Sequence, residues 1–265
     1  MLLTLAGRRV YYDLTGPEKG ATVCFTHSLN SDGGMWSEQL PALLAAGYRT
    51  LRLDMRGHGG SDPAAGDYTM DALADDVAAA LETLGIGPVH YIGLSIGGMI
   101  GQGFAIRHGA KLKSMMLCDT LAASPAGAKA AWDERIGIVR KAGSLAPLAE
   151  PTMERWFTDA FKGRKPARWR QIRDTIAATT TQGFLGCAAA IQGFDYAAKL
   201  ASLKVPALVV CGADDQGTPP AENKRIAAAV PGGRYEEIAD ARHMPNVEHP
   251  DTFNRIMMAW LGAQH

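Results

Sequence analysis

The stretch "HYIGLSIGGMIGQ", residues 90–102, sets a lone serine, Ser95, between Gly93 and Gly97, with Gly98 and Gly101 close behind. Gly93–Gly97 fits G-x-S-x-G, which at a strand-to-helix junction lifts a serine hydroxyl off the sheet on a strained turn. Flanking glycines suit such a turn because a Cβ there would collide with neighbouring backbone. The helix that follows would aim free N–H groups and partial positive charge at negative charge developing nearby. As a bare pattern, the same five residues also fit a glycine-rich turn that merely seats a helix on a strand. A serine hydroxyl is a weak nucleophile at neutral pH, so the chemical reading requires a base and an acid to orient it.

Behind an elbow serine, the acid and then the histidine follow in chain order. Of the seven histidines, His243, His249 and His265 come late enough. His265 ends the chain, and His249 precedes Pro250 at a helix start, a capping or solvent position. His243, in the loop "ADARHMPNVEHP" just past a strand, is the expected base. For the acid, "PALVVCGADDQGTPP" offers Asp214 and Asp215 side by side, and adjacent residues cannot both face one imidazole. Asp215, four residues before Pro219, is favoured; Asp214 would cap the turn or face water, and Asp119 after "KSMMLC" is the runner-up. Acyl transfer also needs donors aimed at an oxyanion. The backbone N–H groups of Ile96 and of Leu29, in "FTHSLNSDGGMW", are the candidates, with Ser28 as the small residue that lets this loop approach Ser95. His27 in the same loop is expected to be structural.

Six apolar runs of strand length must position these groups: 21–27, 48–55, 89–94, 112–119, 206–212 and 233–240. Most are continuous rather than alternating, as in parallel strands covered on both faces. Helical spacing separates them: Leu73, Val77, Leu81 and Leu84 with Thr69 as cap, then Phe253, Ile256, Met257, Trp260 and Leu261 after Pro250. Strand–helix alternation of this kind predicts an α/β fold, a mostly parallel, doubly wound sheet. The alternation fails over 121–200, which is alanine-rich and helical. The expected organisation is a core of residues 1–120 and 201–265 with a helical cap over 121–200.

A chain of 265 residues with 47% hydrophobic and 20% charged residues suits one globular α/β domain and argues against disorder. Zero formal net charge gives no reason to expect a nucleic-acid partner. No run approaches the roughly 20 apolar residues of a membrane span, and the N-terminal "MLLTLAGRRVYY" does not fit a secretion signal. Four cysteines (Cys24, Cys118, Cys187, Cys211) without CxxC spacing read as buried reduced thiols. A cytoplasmic location is the expectation, with a small molecule as partner and no cofactor. No His/Asp/Glu group shows metal-ligand spacing along the chain.

These residues resemble the α/β-hydrolase family, over nearly the whole chain. "LDMRGHGGSD" (53–62) matches the turn this family places after its next strand, which implies structural roles for Arg56 and His58. Within the family the likeness sharpens toward the 3-oxoadipate enol-lactonases, through "SLNSDGGMW", "GLSIGGMIGQ", "MERWFTDAF", "CAAAIQGFDY" and "ADARHMPNVEHPDTFN". The pattern departs at Asn30, where glycine is expected, and at His27. The resemblance implies Ser95, Asp215 and His243 as a triad and a small cyclic enol ester as substrate class. It further implies Arg155 as carboxylate binder and Trp156 as pocket wall, although an ordinary solvated cap arginine would look the same. The basic run 162–173 reads as a solvated helix face that could also draw anions to the pocket. A general carboxylesterase, a carbon–carbon bond hydrolase of ring-cleavage products, and a non-catalytic ligand-binding homologue are the alternatives.

Overall fold

The computed structural model describes residues 1–264; His265 lies outside them. The chain opens with β1 (Leu2–Leu5), β2 (Arg8–Thr15) and β3 (Thr22–Thr26), followed by α1 (Leu40–Ala45), β4 (Arg49–Leu53) and α2 (Met70–Thr83). Next come β5 (Val89–Leu94), α3 (Ile96–His108) and β6 (Leu112–Cys118). Five helices follow without a strand: α4 (Lys129–Ala142), α5 (Ala146–Trp156), α6 (Asp159–Arg164), α7 (Pro166–Ala178) and α8 (Thr181–Gly193). The chain then completes the sheet with β7 (Ala207–Gly212), α9 (Pro220–Ala229), β8 (Arg234–Ile238), α10 (Pro245–Glu248) and α11 (Pro250–Gly262).

The eight strands form one sheet in the order β1-β2-β4-β3-β5-β6-β7-β8, parallel from β4 to β8. The first two strands are an antiparallel hairpin on the β4 edge, which the sequence did not suggest. Its turn places Ala6 and Gly7 both at positive φ (46° and 77°), the geometry that twists with the strands of a two-residue hairpin. Ala-Gly lacks the Asn-Gly or Asp-Gly signature that would have announced it.

Pleating divides the sheet's residues between two apolar layers, because successive side chains point to opposite faces. Cys24, Tyr91, Leu117 and Val209 pack against Leu73, Val77 and Leu81 of α2 and Met99, Ile100 and Phe104 of α3. Phe25, Ile92, Met116 and Leu208 are register partners across four strands. They face the other way, onto Leu43 of α1 and Phe253, Met257 and Trp260 of α11. The helix α2 starts where its cap predicts, with the Thr69 hydroxyl accepting from the Ala72 N–H at 3.1 Å.

The consequence for function is the shared edge. Since β3 and β5–β8 are parallel, the loops carrying Leu29, Ser95, Asp119, Asp215 and His243 all leave from the same end of the sheet. The inserted helices share an apolar layer of Trp156, Phe157, Phe161, Trp169 and Ile176 with one face of the core. No helix of the described residues is long and apolar enough to cross a membrane. The four cysteines are free and buried, and burial pushes the Cys24 and Cys187 thiols up to about 12.

Candidate active site

Ser95 follows the last residue of β5 and caps α3 with φ 60° and ψ −120°. A non-glycine residue in such a conformation costs about 1–3 kcal/mol and persists only where its surroundings impose it. Here they do. The Ser95 N–H donates to Cys118 O at 2.8 Å, and the Thr120 hydroxyl donates to Ser95 O at 2.7 Å. A Cβ on Gly93 would sit 2.3 Å from Gly97 O, and one on Gly97 would sit 2.5 Å from Thr26 O. Both glycines are therefore sites of close backbone approach, the second bringing the end of β3 against the first turn of α3. The Tyr91 hydroxyl donates to Gly97 O at 2.7 Å and fixes that turn from below.

Asp215 and His243 meet from the ends of β7 and β8: His243 Nδ1 lies 2.7 Å from Asp215 Oδ2. The carboxylate also accepts from Gly217 N–H (2.8 Å), Thr218 N–H (3.2 Å) and the Thr218 hydroxyl (2.5 Å). Burial pushes the Asp215 carboxyl up, but the imidazole of His243 and the Thr218 donors outweigh it and hold it well below the usual carboxylate range. Asp214, its neighbour, is exposed. The His243 loop is seated on Gly212, where a Cβ would lie 2.1 Å from Arg242 O. Arg242 ties the loop to the end of α5 by donating to Glu154 O and Phe157 O, and Glu248 accepts from Arg242 N–H and Thr158 N–H. No local pattern marks Arg242 and Glu248, which meet the inserted helices only through the fold.

One cavity of about 400 Å³ has Ser95, Asp215 and His243 in its wall. Leu29 and Trp156 line it too, and the Trp156 ring centroid lies 6.0 Å from that of His243. Ile96 is wholly buried as the first residue of α3, so its N–H is one of those a helix start leaves without an intrahelical partner. Asn30 adopts φ 62°, a left-handed conformation that asparagine tolerates where glycine was expected. Asn30 Oδ1 and Ser28 Oγ are buried without hydrogen-bond partners, and both residues line the cavity.

Arg155 reaches this cavity, and so does Arg135 from α4. Arg155 is partly exposed at the rim and donates to the Thr152 hydroxyl at 3.2 Å; Arg135 is half-buried over the Trp132 ring, 5.2 Å from its centroid. Neither forms an ion pair with a described residue. Burial lowers the pKa of both, and for Arg155 the like charge of Arg135 lowers it further. The basic run 162–173 behaves differently: Lys162 pairs with Glu150, Arg168 with Glu38 and Arg173 with Asp174. Half of its six cations are thus spent on the protein itself, while Arg164, Lys165 and Arg170 form no ion pair with a described residue.

Asp119, Asp215 and His243 offer ligand atoms within 4.8 Å of one another, a grouping that no linear spacing revealed. A cation there would have to break the Asp215–His243 hydrogen bond. A second groove, about 330 Å³, lies away from Ser95, and its Arg168, Arg52 and Asp54 are bound to Glu38, Asp13 and the Gly33 and Gly60 N–H groups.

A serine on a strained strand–helix elbow, beside an aspartate–histidine pair at the same sheet edge, has a match in sequence space. Residues 21–250 fit the model of the alpha/beta hydrolase fold. The chain belongs to that family. It is 30% identical over 261 residues to 3-oxoadipate enol-lactonase 1 of Acinetobacter baylyi, covering 98% of this chain and 96% of that one. Among solved structures it resembles the enol-lactonase from Burkholderia xenovorans (TM-score 0.94, 32% identity, 99% and 100% covered). It also resembles a thermophilic esterase from Thermogutta terrifontis with malate bound (TM-score 0.91, 29% identity, 100% and 97% covered).

The remaining motif residues of this alpha/beta hydrolase are engaged by the protein itself. His27 Nε2 accepts from the Met55 N–H at 2.9 Å, Arg56 is paired with Asp76, and His58 is fully buried with Nδ1 on Arg56 O. His249 Nε2 donates to Asp240 O at 2.8 Å, consistent with a role outside the site.

Proposed function

We propose that this alpha/beta hydrolase is a serine hydrolase of small carboxylate-bearing esters or lactones, enol-lactone-like in substrate, working through Ser95, His243 and Asp215. Ser95 Oγ attacks the carbonyl carbon while His243 Nε2 takes its proton, and Asp215 holds the Nδ1–H and stabilises the imidazolium. The N–H groups of Leu29 and Ile96 receive the oxyanion. As the tetrahedral intermediate collapses, the ring C–O bond breaks and His243 returns the proton to the leaving oxygen. In an enol-lactone that oxygen is an enol, which relaxes to a ketone and makes ring opening hard to reverse. Water, deprotonated by His243, then releases the acyl group from Ser95 by the same route. Helices α4–α8 act as the cap that covers the reacting groups.

The observation that carries this reading is the Asp215–His243 hydrogen bond in the wall of the cavity that also holds Ser95 and two arginines without carboxylate partners. Uncompensated cations beside a reacting centre suit an anionic substrate, and the similarity to the enol-lactonases supports a lactone. The apolar remainder of the wall, Met99, Leu121, Leu148 and Ile191, also suits a general carboxylesterase. Turnover of an enol-lactone, short p-nitrophenyl esters and a vinylogous diketone by purified protein separates the two. Lactone turnover that is preferred and lost in Ser95→Ala supports the proposal; ester turnover without lactone turnover removes the narrow substrate.

A further inference from the structure

The site holds a carboxyl group that the mechanism does not use. Asp119 directly follows β6 with φ 43°, a left-handed conformation, and has no exposed surface. Its Oδ1 accepts from the N–H of Gly212, the last residue of β7, at 2.8 Å. Its Oδ2 is buried with no N–H or O–H partner among the described residues, and the Cys211 thiol is the one other donor beside this carboxyl. Yet oxygens of Asp119 and Asp215 and a ring nitrogen of His243 lie within 4.8 Å of one another. Two carboxyl groups this close, away from water, strongly resist carrying charge together. The Asp215 carboxylate has three donors besides the imidazole, all of which favour its charged form, so it takes the charge.

We infer that Asp119 is a neutral positioning residue, its carboxylic O–H on Oδ2 donating toward the Asp215 carboxylate and holding it against His243. This rests on the triad reading above. Burial, then the charge of Asp215, push the Asp119 carboxyl well above the usual range. The other titratable groups that face it share its preference for neutrality: the Cys118 and Cys211 thiols and the Tyr235 hydroxyl are all pushed up, chiefly by burial. Glu237, beyond Cys211 on β8, keeps its charge with Tyr235 and Lys224. A neutral donor steadies Asp215 without adding a second negative charge, which would over-stabilise the imidazolium and postpone the loss of its proton to higher pH.

Asp119→Asn and Asp119→Ala separate this role from a merely structural one. The amide of Asn keeps an acceptor for Gly212 and a donor for Asp215, whereas Ala removes both. Asp119→Ala is expected to lose kcat by on the order of tenfold, as for one hydrogen bond to a charged group, with Asn restoring most of it. The acidic limb of the kcat/KM profile stays in place in Asp119→Asn. A downward move of that limb by about one pH unit or more is what removing a nearby negative charge would produce, and it overturns the inference. So does an Ala variant with undiminished kcat. Infrared difference spectra of wild type against Asp119→Asn at neutral pH supply a readout independent of turnover: a protonated carboxyl C=O band in the wild type alone is expected, and its absence refutes the protonated state. If Ser95→Ala keeps full turnover, the hydrolase reading fails, while the infrared band still decides the state of Asp119.

Discussion

Replacing Arg135 by methionine tests what the unpaired arginines are for. The substitution keeps most of the side chain's length, removes its charge, and leaves Trp132 and the rest of the wall in place. Arg135 is half-buried and bound to no carboxylate, so a substrate carboxylate would meet a partly desolvated guanidinium. A hydrogen bond between charged groups contributes about 1.5–3 kcal/mol, and each 1.4 kcal/mol is tenfold, so kcat/KM for an anionic lactone should fall by about 10- to 150-fold. Arg155 is the more exposed of the two, so screening brings its charge pair nearer to about 0.2–1 kcal/mol, and Arg155→Met should cost less than Arg135→Met, about fivefold or below. Stability should move the other way or hardly at all. The lost contact with Trp132 costs about 0.5–1 kcal/mol at such a site, while repulsion between the two arginines is relieved. The assay is kcat/KM for an anionic lactone and for a neutral ester of the same size, at low and high salt, beside urea melts of each variant. The neutral ester should be indifferent to both substitutions, and the wild-type preference for the anion should shrink as salt rises. An equal loss on both substrates, or no loss on the anion, refutes the reasoning.

Two further outcomes are expected. Asp215→Asn should lower kcat by on the order of 10³–10⁴-fold by leaving the imidazole in the wrong tautomer, and Asp214→Asn, at an exposed position, should change little; steady-state kinetics that rank them the other way contradict the acid assignment. His58 is fully buried, and burial followed by the neighbouring His27 lowers it from 6.5 to about 3. Between those values the unfolded chain binds a proton that the folded one refuses, so stability is present above the unfolded value and is lost as pH falls toward 3. From pH 6.5 to 5 that slope, about 1.4 kcal/mol per unit, amounts to about 2 kcal/mol. Urea melts at pH 7 and pH 5 should show this excess loss in the wild type relative to His58→Gln, and identical pH dependence in the two would contradict it.

How much of this was legible in sequence depended on whether the signal was local. The strands of the parallel sheet are continuous apolar runs, and Gly93 and Gly97 mark a turn whose steric need lies within a few residues. The hairpin of β1 and β2 was not legible, because both strands are partly exposed and their Ala6-Gly7 turn has an uncommon composition. Asp214 and Asp215 are indistinguishable as letters. The difference between them arises from the turn after Gly212, which buries one side chain against His243 and leaves the other in water. Arg155 is legible only through resemblance. Arg135 lies 20 residues earlier, on a different helix, and nothing local marks it as a neighbour. Asp119 is legible as a possible acid because it follows a strand, but its closeness to Asp215 depends on β6 and β7 being adjacent in the sheet.

The account turns on Ser95 being an activated nucleophile, and covalent labelling examines that most directly. Wild-type protein treated with a fluorophosphonate should gain one adduct mass, mapped by peptide mass spectrometry to the segment containing Ser95, with labelling abolished in Ser95→Ala and strongly slowed in His243→Ala. An unlabelled wild type, or an adduct on another residue that persists in Ser95→Ala, would contradict it.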